Sequence, residues 1–238
     1  MLGDDVIELL GERVPADHAR QVAAEHWIGR FYAQRGERGA AVLDLGCGAG
    51  DSVDAFRRHD AEVDWVGVDL PRSPEVASRT RTDAEFRTFD GTSIPAPDAS
   101  QDLVFCKQAL EHVRAPEPLL RDAARVLRPG GWLAGSTSQL EPFHSLSLWN
   151  YTPYGLTRLL EETGLRVREL RPCIDGLTLV VQRGLGMPRL FDRWWHHESP
   201  LNRFANLFGR AARLDVRQVN AIKLLLCGQF CFRAEREG

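Results

Sequence analysis

The sequence lacks a long apolar run, since none of its apolar stretches reaches about 18 residues. It therefore predicts no transmembrane helix. Residues 1–5 are acidic and contain no basic region followed by an apolar one, which predicts no signal peptide. The net charge of −3 over 238 residues predicts no general attraction to nucleic acid or to an anionic membrane.

Cysteine is also scarce, and its spacing speaks against a cysteine metal site. The five cysteines show no paired metal-ligand spacing. We expect them to be small buried residues in a reducing, cytoplasmic location. The densest histidine group is 196–198, His-His-Glu, in which neighbouring side chains of a helix point in different directions. The sequence therefore predicts no metal site.

What the sequence does contain is a glycine-rich turn. Residues 44–50 read Asp-Leu-Gly-Cys-Gly-Ala-Gly, directly after an apolar run. Closely spaced glycines supply unusual backbone angles and let bare backbone approach a ligand. A dinucleotide site requires G-x-G-x-x-G, whereas Gly46, Gly48 and Gly50 follow G-x-G-x-G. Asp44 would repel a pyrophosphate but suits a ligand that carries positive charge.

Short β-like runs alternate with helical stretches after residue 40, which predicts βαβ units and an α/β fold with a mostly parallel sheet. The predicted strands are 41–45, 63–70, 85–89, 103–107, 132–136, 165–173 and 228–233. The predicted core helices are 51–58, 74–79, 116–127 and 153–163, and a further helix covers 18–35. Helices are expected on both faces of the sheet, with the ligand at the carboxyl ends of the strands.

The predicted organisation is a single domain of four parts. These are an N-terminal helical cap (1–38), a cofactor-binding core (39–175), a helical insertion (184–226) and a last strand (228–234). Within the insertion, apolar residues at helical spacing span 187–195, Ser199-Pro200 predicts a helix start, and Asp215 predicts an N-cap. Three interpretations of this aromatic, arginine-rich segment stay open: a packed lid, a dimer surface, or peripheral contact with a membrane.

Five elements occur in order over residues 40–138, and together they resemble a known family. They are the glycine loop, Asp69 at the end of the second strand, Phe89-Asp90-Gly91, the fourth strand with its exit at 102–113, and Leu-Arg-Pro-Gly-Gly at 127–131. This arrangement resembles the class I S-adenosylmethionine (SAM)-dependent methyltransferases, of the small-molecule type related to those of ubiquinone and menaquinone biosynthesis. The resemblance implies a Rossmann-like seven-stranded sheet and SAM as the cofactor.

The resemblance also implies which residues bind that cofactor. Asp69 is placed, by its spacing from the glycine loop, to accept both hydrogen bonds of a ribose diol. Asp90 would accept from the adenine amino group, although an Asx turn before glycine is the alternative. The implied cofactor-binding residues are Asp44, Gly46, Cys47, Gly48, Asp69, Leu70, Asp90, Gly91, Lys107 and Gln108.

Acceptor-side residues are predicted after the fourth and fifth strands. His144 follows the fifth strand and is the preferred general base, with a solvated loop histidine as the alternative. His112 is a second catalytic candidate, although a pocket-lining role is favoured. Trp149, Tyr151 and Tyr154 are expected to line the acceptor pocket, in a stretch similar to one in methyltransferases of glycan and natural-product pathways.

The predicted function is therefore a SAM-dependent methyltransferase, specifically an O-methyltransferase on a small molecule from natural-product or glycan biosynthesis. The alternative is a non-catalytic SAM-binding partner subunit with the same fold. A nicotinamide oxidoreductase is disfavoured by the glycine spacing and the Pro-Gly-Gly turn. A homodimer is left open, and no nucleic-acid partner is expected.

Overall fold

The computed structural model describes residues 2–238, and within that range seven strands form one sheet in the order β3-β2-β1-β4-β5-β7-β6. The strands are β1 (Ala41–Leu45), β2 (Asp64–Asp69), β3 (Glu85–Thr88), β4 (Gln101–Lys107), β5 (Leu127–Ser138), β6 (Leu165–Pro172) and β7 (Gln229–Arg236). Only β7 runs antiparallel to its neighbours, β5 and β6. The predicted Rossmann-like, mostly parallel α/β sheet is confirmed.

Helices cover both faces of this sheet, as the βαβ pattern predicts. They are α1 (Asp4–Leu10), α2 (His26–Arg35), α3 (Ser52–His59), α4 (Pro74–Ala77), α5 (Pro116–Val126), α6 (Pro153–Glu162), α7 (Gly176–Gly184), α8 (Pro200–Ala211) and α9 (Val216–Leu226). Helices α1, α5, α6 and α9 bury apolar residues in one core cluster. Helices α2 and α3 bury theirs in a second cluster on the other face. Because β1 lies between these layers, all five of its residues are buried.

The predicted N-terminal helix over 18–35 is too long, because α2 begins only at His26. Backbone groups of the preceding segment are bonded to other elements instead of to a helix. The Val22 amide donates to the Pro172 carbonyl at 3.2 Å, at the end of β6. The Asn220 side chain donates to the His18 carbonyl at 2.9 Å. Tertiary hydrogen bonds here override the local helical pattern.

The Leu-Arg-Pro-Gly-Gly segment at 127–131 follows the end of α5, but it forms no separate turn before the fifth strand. Helix α5 ends at Val126, and β5 begins at the next residue. Proline and two glycines lie inside the strand, where the pairing of β4 with β5 shifts register between Gln101 and Leu103. Gly130 has φ of +77°, which explains why glycine is needed in this irregular stretch.

The helical insertion begins with α7 at Gly176, earlier than the predicted start at 184. The segment expected as an α-helix over 187–195 forms a 3-10 helix at Arg189–Trp195. The predicted start of α8 after Ser199 is confirmed. Asp215 begins α9 with a capping box, in which its carboxylate accepts from the Gln218 amide.

Helix α8 turns its large apolar side chains outward, whereas a packed lid would bury them. Its buried residues are Asn202, Ala205 and Gly209, whereas Phe204 and Leu207 are each 63% exposed. Gly209 lies so close to α9 that an added Cβ would come within 2.4 Å of the Val219 side chain. The large apolar side chains of this helix therefore face away from the domain. Among the described residues, no helix combines the length and apolar character needed to cross a bilayer.

Candidate active site

The glycine loop follows β1 and is tied to the end of β2. Gly46, Gly48 and Gly50 all have positive φ, at +75°, +51° and +86°. The amides of Gly46 and Cys47 donate to the Val68 carbonyl at 2.8 and 3.3 Å. A Cβ on Gly46 would also come within 2.4 Å of the Ala109 Cβ. The loop therefore depends on glycine for both its backbone angles and its close packing.

Asp69 is the link between the second strand and this loop. One carboxylate oxygen, Oδ2, accepts from the Gly48 amide at 2.7 Å. The other, Oδ1, accepts from the Leu70 amide at 2.7 Å. The side chain is half-buried at the carboxyl edge of the sheet. A carboxylate offers about four acceptor sites, so both oxygens keep capacity for a diol.

Asp44 is buried beneath the loop, and its Oδ2 accepts from the Ser52 hydroxyl. Among the described residues, Oδ1 has no hydrogen-bond donor. Burial raises the pKa of the Asp44 carboxyl to about 7, although the Ser52 hydrogen bond and the Lys107 ammonium oppose this shift. A cationic ligand group at Oδ1 would pair with an oxygen that has no protein donor within residues 2–238 and would favour the charged form of the carboxyl.

Asp90 adopts the Asx-turn geometry. Its Oδ1 accepts from the Ser93 amide at 2.7 Å and from the Thr92 amide at 2.8 Å. These hydrogen bonds lower the pKa of the exposed Asp90 carboxyl to about 2. Gly91 has φ of +92°, and its position lies beside the exposed Leu70 side chain, 3.5 Å from an added Cβ. A contact between Asp90 and adenine stays a prediction.

Lys107 and Gln108 lie at the carboxyl end of β4, beside the loop residue Ala109. The Lys107 ammonium is 2.5 Å from the Glu25 carboxylate, in the segment that precedes α2. Burial acts to raise the pKa of Glu25, but the hydrogen bond and charge of Lys107 outweigh it, and the pKa is lowered. Gln108 has φ of +51°, and its amide donates to the Ser136 carbonyl at 2.9 Å.

Sequence reasoning missed two charged residues at this site. Glu25 lies 82 positions from its partner Lys107, so no local pattern indicates the pair. Arg79 donates from Nε and Nη2 to the Gly48 carbonyl, at 2.9 and 2.6 Å. Its guanidinium also lies over the Phe86 ring, 3.8 Å from the centroid. Arg79 thus holds the backbone of the glycine loop, whereas Glu25 holds the Lys107 side chain.

A second group of residues lies after β4 and β5. The rings of His112 and His144 meet edge to face, with centroids 5.3 Å apart. Glu111 is fully buried, and the Thr137 hydroxyl donates to its Oε2 at 3.0 Å. Burial raises the pKa of the Glu111 carboxyl to about 7. The two predicted catalytic histidines therefore lie together, beside a carboxyl that the sequence analysis did not select.

Glu111, His112 and His144 each offer one ligand atom, and these atoms lie within 4.8 Å of one another. Histidine nitrogen and carboxylate oxygen are suitable ligands for a divalent cation. The prediction of no metal site considered the cysteines and residues 196–198. In the second group, Glu198 pairs with the buried Lys223 at 2.8 Å. The trio was missed because His144 is far from the other two residues in sequence.

Residues 148–151 pack against the turn that carries this group. The Leu148 and Trp149 amides donate to the Glu111 carbonyl at 2.7 and 3.1 Å. The Trp149 indole donates to the Val113 carbonyl at 2.8 Å, and the Tyr151 hydroxyl to the Leu110 carbonyl at 3.2 Å. Burial raises the pKa of Tyr151 well above its usual value. Tyr154 is 45% exposed at the start of α6.

The three predicted pocket residues differ in how accessible they are to a ligand. Trp149 is about half exposed, at 48%, next to the histidine pair, so a ligand can reach its ring. Tyr151 commits its hydroxyl to the backbone and packs on the core. Their contact with an acceptor stays a prediction.

Comparison with known proteins identifies relatives of this arrangement. Residues 43–135 match the family model described as "Methyltransferase domain". A ubiquinone biosynthesis O-methyltransferase of Leptothrix cholodnii is 32% identical over 171 residues, covering 66% of this chain and 72% of that protein.

Solved structures share the fold. A SAM-dependent methyltransferase from Aquifex aeolicus has a TM-score of 0.52 at 20% identity, covering 63% of this chain and 83% of that one. The [4+2]-cyclase SpnF has a TM-score of 0.60 at 17% identity, covering 98% and 91%. At these identities the likeness concerns the fold alone.

Proposed function

Because this chain belongs to the class I SAM-dependent methyltransferases, we propose that it is an O-methyltransferase of a small hydroxylated molecule in natural-product or glycan biosynthesis. The observation that carries the proposal is the packing of Ala109 on Gly46, which joins the cofactor loop to the turn bearing His112. The amide of His112 donates to the Ala109 carbonyl at 3.0 Å. Cofactor loop and acid–base group are thus adjacent.

The cofactor is SAM, and the residues of the loop fit it. Gly46 and Gly48 give the loop its positive φ angles, and the unpartnered Oδ1 of Asp44 suits a cationic group. Asp69 is placed for the ribose hydroxyls. We propose that the remaining predicted contacts, Cys47, Leu70, Asp90, Gly91, Lys107 and Gln108, complete this site. SAM supplies an activated methyl group on a sulfonium, and the protein must position the acceptor and exclude water.

On the acceptor side, we assign His144 as the general base that removes the hydroxyl proton, with His112 packed against it. Trp149 and Tyr154 present exposed aromatic surface after β5, and Tyr151 shapes the same segment from the core side. An exposed aromatic ring can stack on or pack against a small acceptor.

The direct test is transfer of isotope-labelled methyl from SAM to a small-molecule extract, analysed by mass spectrometry. We expect a labelled O-methyl product from the unmodified chain and a loss of about 100-fold or more with His144→Ala, the usual range for removing a general base. His59→Ala is the matched control, because His59 stacks on Tyr32 on the far side of the sheet. Labelled product from His144→Ala at the unmodified rate would overturn the assignment of the base.

The alternative is a SAM-binding partner subunit without catalysis, and the cyclase among the fold neighbours shows that this fold serves other functions. SAM binding by calorimetry without labelled product from any extract would support it. The histidine pair beside the loop favours catalysis, because a binding subunit has no need of two adjacent proton-transfer groups.

For the helical insertion we propose peripheral contact of a cytoplasmic protein with an anionic membrane. Phe204, Leu207 and Phe208 are exposed on α8. Residues 176–214 carry six exposed arginines against one exposed acid, Asp192. Exposed apolar side chains beside basic ones match the composition of surface-bound helices.

Sedimentation with vesicles tests this contact. We expect binding to phosphatidylglycerol vesicles and little to phosphatidylcholine vesicles. The double substitution Phe204→Ser with Leu207→Ser should abolish binding, whereas Leu9→Ser, an exposed leucine of α1, should not. If the α8 variant instead converts a dimer to a monomer in light scattering, the surface is the homodimer interface.

A further inference from the structure

Glu141 is a buried carboxylate that follows β5 and lies outside the residues assigned above. Its side chain is 9% exposed. Oε2 accepts from the Ser138 hydroxyl at 2.6 Å and from the Gln229 amide at 2.8 Å. Ser138 and Gln229 belong to neighbouring strands, β5 and β7. Two donors on rigid strands thus fix the orientation of this carboxylate.

The other oxygen of Glu141 faces His144. Oε1 lies 3.5 Å from His144 Nδ1, and the imidazole of His144 is 19% exposed. On another side the ring meets His112 edge to face, at an interplanar angle of 89°. The ring is therefore held between a carboxylate and a second imidazole, which limits its rotation.

We infer that Glu141 is a positioning residue that holds His144 as the Nδ1–H tautomer and leaves the Nε2 lone pair free to accept a proton. This inference rests on the proposed function for its catalytic meaning. A carboxylate beside one ring nitrogen favours the proton on that nitrogen, and the other nitrogen then acts as the base. The acceptor hydroxyl proton moves to Nε2, the hydroxyl oxygen forms the bond to the methyl carbon, and the leaving sulfur keeps the electron pair of the broken bond.

A purely structural role for Glu141 is the competing explanation. The Ser138 and Gln229 hydrogen bonds tie the segment after β5 to β7, and they would do so without His144. They satisfy only Oε2, however. A buried carboxylate is costly unless both oxygens interact, and His144 is the partner that Oε1 approaches.

The test reads the tautomer directly and needs no acceptor. Long-range nitrogen–proton NMR is recorded on the chain labelled with nitrogen-15 at its seven histidines. The signal of His144 is the one that disappears in His144→Gln. At pH 8 with a chelator present, we expect the unmodified chain to show a protonated Nδ1 and an unprotonated Nε2. Glu141→Gln keeps the volume and should yield a mixture of both tautomers. Glu161→Gln, which removes the carboxylate paired with Arg13, is the matched control and should change nothing.

Kinetics supply the second readout. The labelled product from the extract identifies the acceptor, which then serves as the substrate. With it, we expect Glu141→Gln to lower kcat by about 10-fold or more while the Kd for SAM stays unchanged. An unaltered His144 tautomer and unaltered kcat in Glu141→Gln would overturn the inference, and so would a protonated Nε2 in the unmodified chain. If the variant fails to fold, Gln229→Leu tests the same orientation from the other end, with the same expected mixture of tautomers.

Failure of the proposed function can be distinguished from failure of the inference about Glu141. A chain that transfers no methyl group but shows the expected tautomer contradicts the proposed function and not the position of Glu141. A chain that methylates while His144 holds its proton on Nε2 contradicts the inference alone. A spectrum that changes when Zn²⁺ replaces the chelator, with the tautomer independent of Glu141, assigns the ring to a metal and likewise overturns the inference.

Discussion

Ala109 packs directly on Gly46, so that a Cβ added to the glycine would lie 2.4 Å from the Ala109 Cβ. This contact joins the loop after β1 to the segment after β4. Glu111 and His112 follow Ala109 within one short 3-10 helix, Leu110–His112, so the glycine loop packs against the turn that carries the proposed acid–base residues. The proposed cofactor loop and the proposed acceptor site thus meet at one close contact.

The first prediction concerns that contact. Gly46→Ala combines a positive φ of +75° with a steric clash, and we expect about 2–5 kcal/mol of destabilisation together with loss of SAM binding. Gly39→Ala is the matched control, since Gly39 has φ of +72° but no atom within 4 Å of an added Cβ. It should cost only about 1–2 kcal/mol. Urea unfolding and calorimetry measure both; equal destabilisation of the two variants would rule out the packing argument.

The second prediction concerns Asp69. Asp69→Asn removes the charge that accepts from the Gly48 amide and, as we propose, from the ribose diol. Hydrogen bonds to a charged group contribute about 1.5–3 kcal/mol, so the Kd for SAM should rise by about 10- to 100-fold. The exposed Asp83, changed to Asn, is the control and should leave the Kd unaltered. An unchanged Kd in Asp69→Asn would remove Asp69 from the cofactor site.

Most of the fold was predictable because it depends on local patterns. The glycine loop, the acid ending β2 and the capping box at Asp215 are short motifs whose geometry follows from neighbouring residues. The extended segment before α2 was not predictable, since its backbone is bonded to Pro172 and to Asn220, far along the chain. Helical periodicity alone predicts a helix there.

The acceptor side was predictable only in part, for the same reason. His144 was selected because it follows a strand end, but Glu111 becomes its neighbour only when β4 and β5 assemble. Glu141 is only three residues from His144, and its carboxylate is oriented by Ser138 and by Gln229 of β7. The orientation of α8 also escaped prediction. An apolar stripe normally packs inward, whereas here Asn202 anchors the opposite face through the Cys173 carbonyl at 2.8 Å.

The third prediction is a pH dependence of SAM binding that originates at Asp44. The pKa of its carboxyl is raised to about 7 by burial, and a cationic ligand binds the ionised form. The ionised fraction of Asp44 grows from roughly a tenth at pH 6 to roughly nine tenths at pH 8. The affinity for SAM should therefore rise about tenfold over this range. SAM itself also titrates, so the affinity of the unmodified chain is divided by that of Asp44→Asn at each pH. If this ratio stays constant from pH 6 to pH 8, the assignment to Asp44 is contradicted.

The fourth prediction is a pH dependence of stability that originates at Glu111. The pKa of its carboxyl is about 7 in the folded chain, against an ordinary value of 4.5. The folded state therefore binds the proton more tightly than the unfolded state, so this group's contribution is fully present below pH 4.5 and is lost as the pH rises through 7. The loss amounts to about 3 kcal/mol, at roughly 1.4 kcal/mol per pKa unit.

Glu111→Gln keeps the shape of the side chain and cannot ionise, so it isolates this group from Asp44 and all other titrating residues. Relative to the unmodified chain, the variant should gain about 3 kcal/mol in the free energy of unfolding between pH 4.5 and pH 8. Glu117→Gln, at an exposed carboxylate paired with Arg121, should show no such change. Urea unfolding at the two pH values measures the difference. A difference that does not change with pH would mean that Glu111 is already ionised in the folded chain, and a cation held with His112 and His144 would then be the charge that stabilises it.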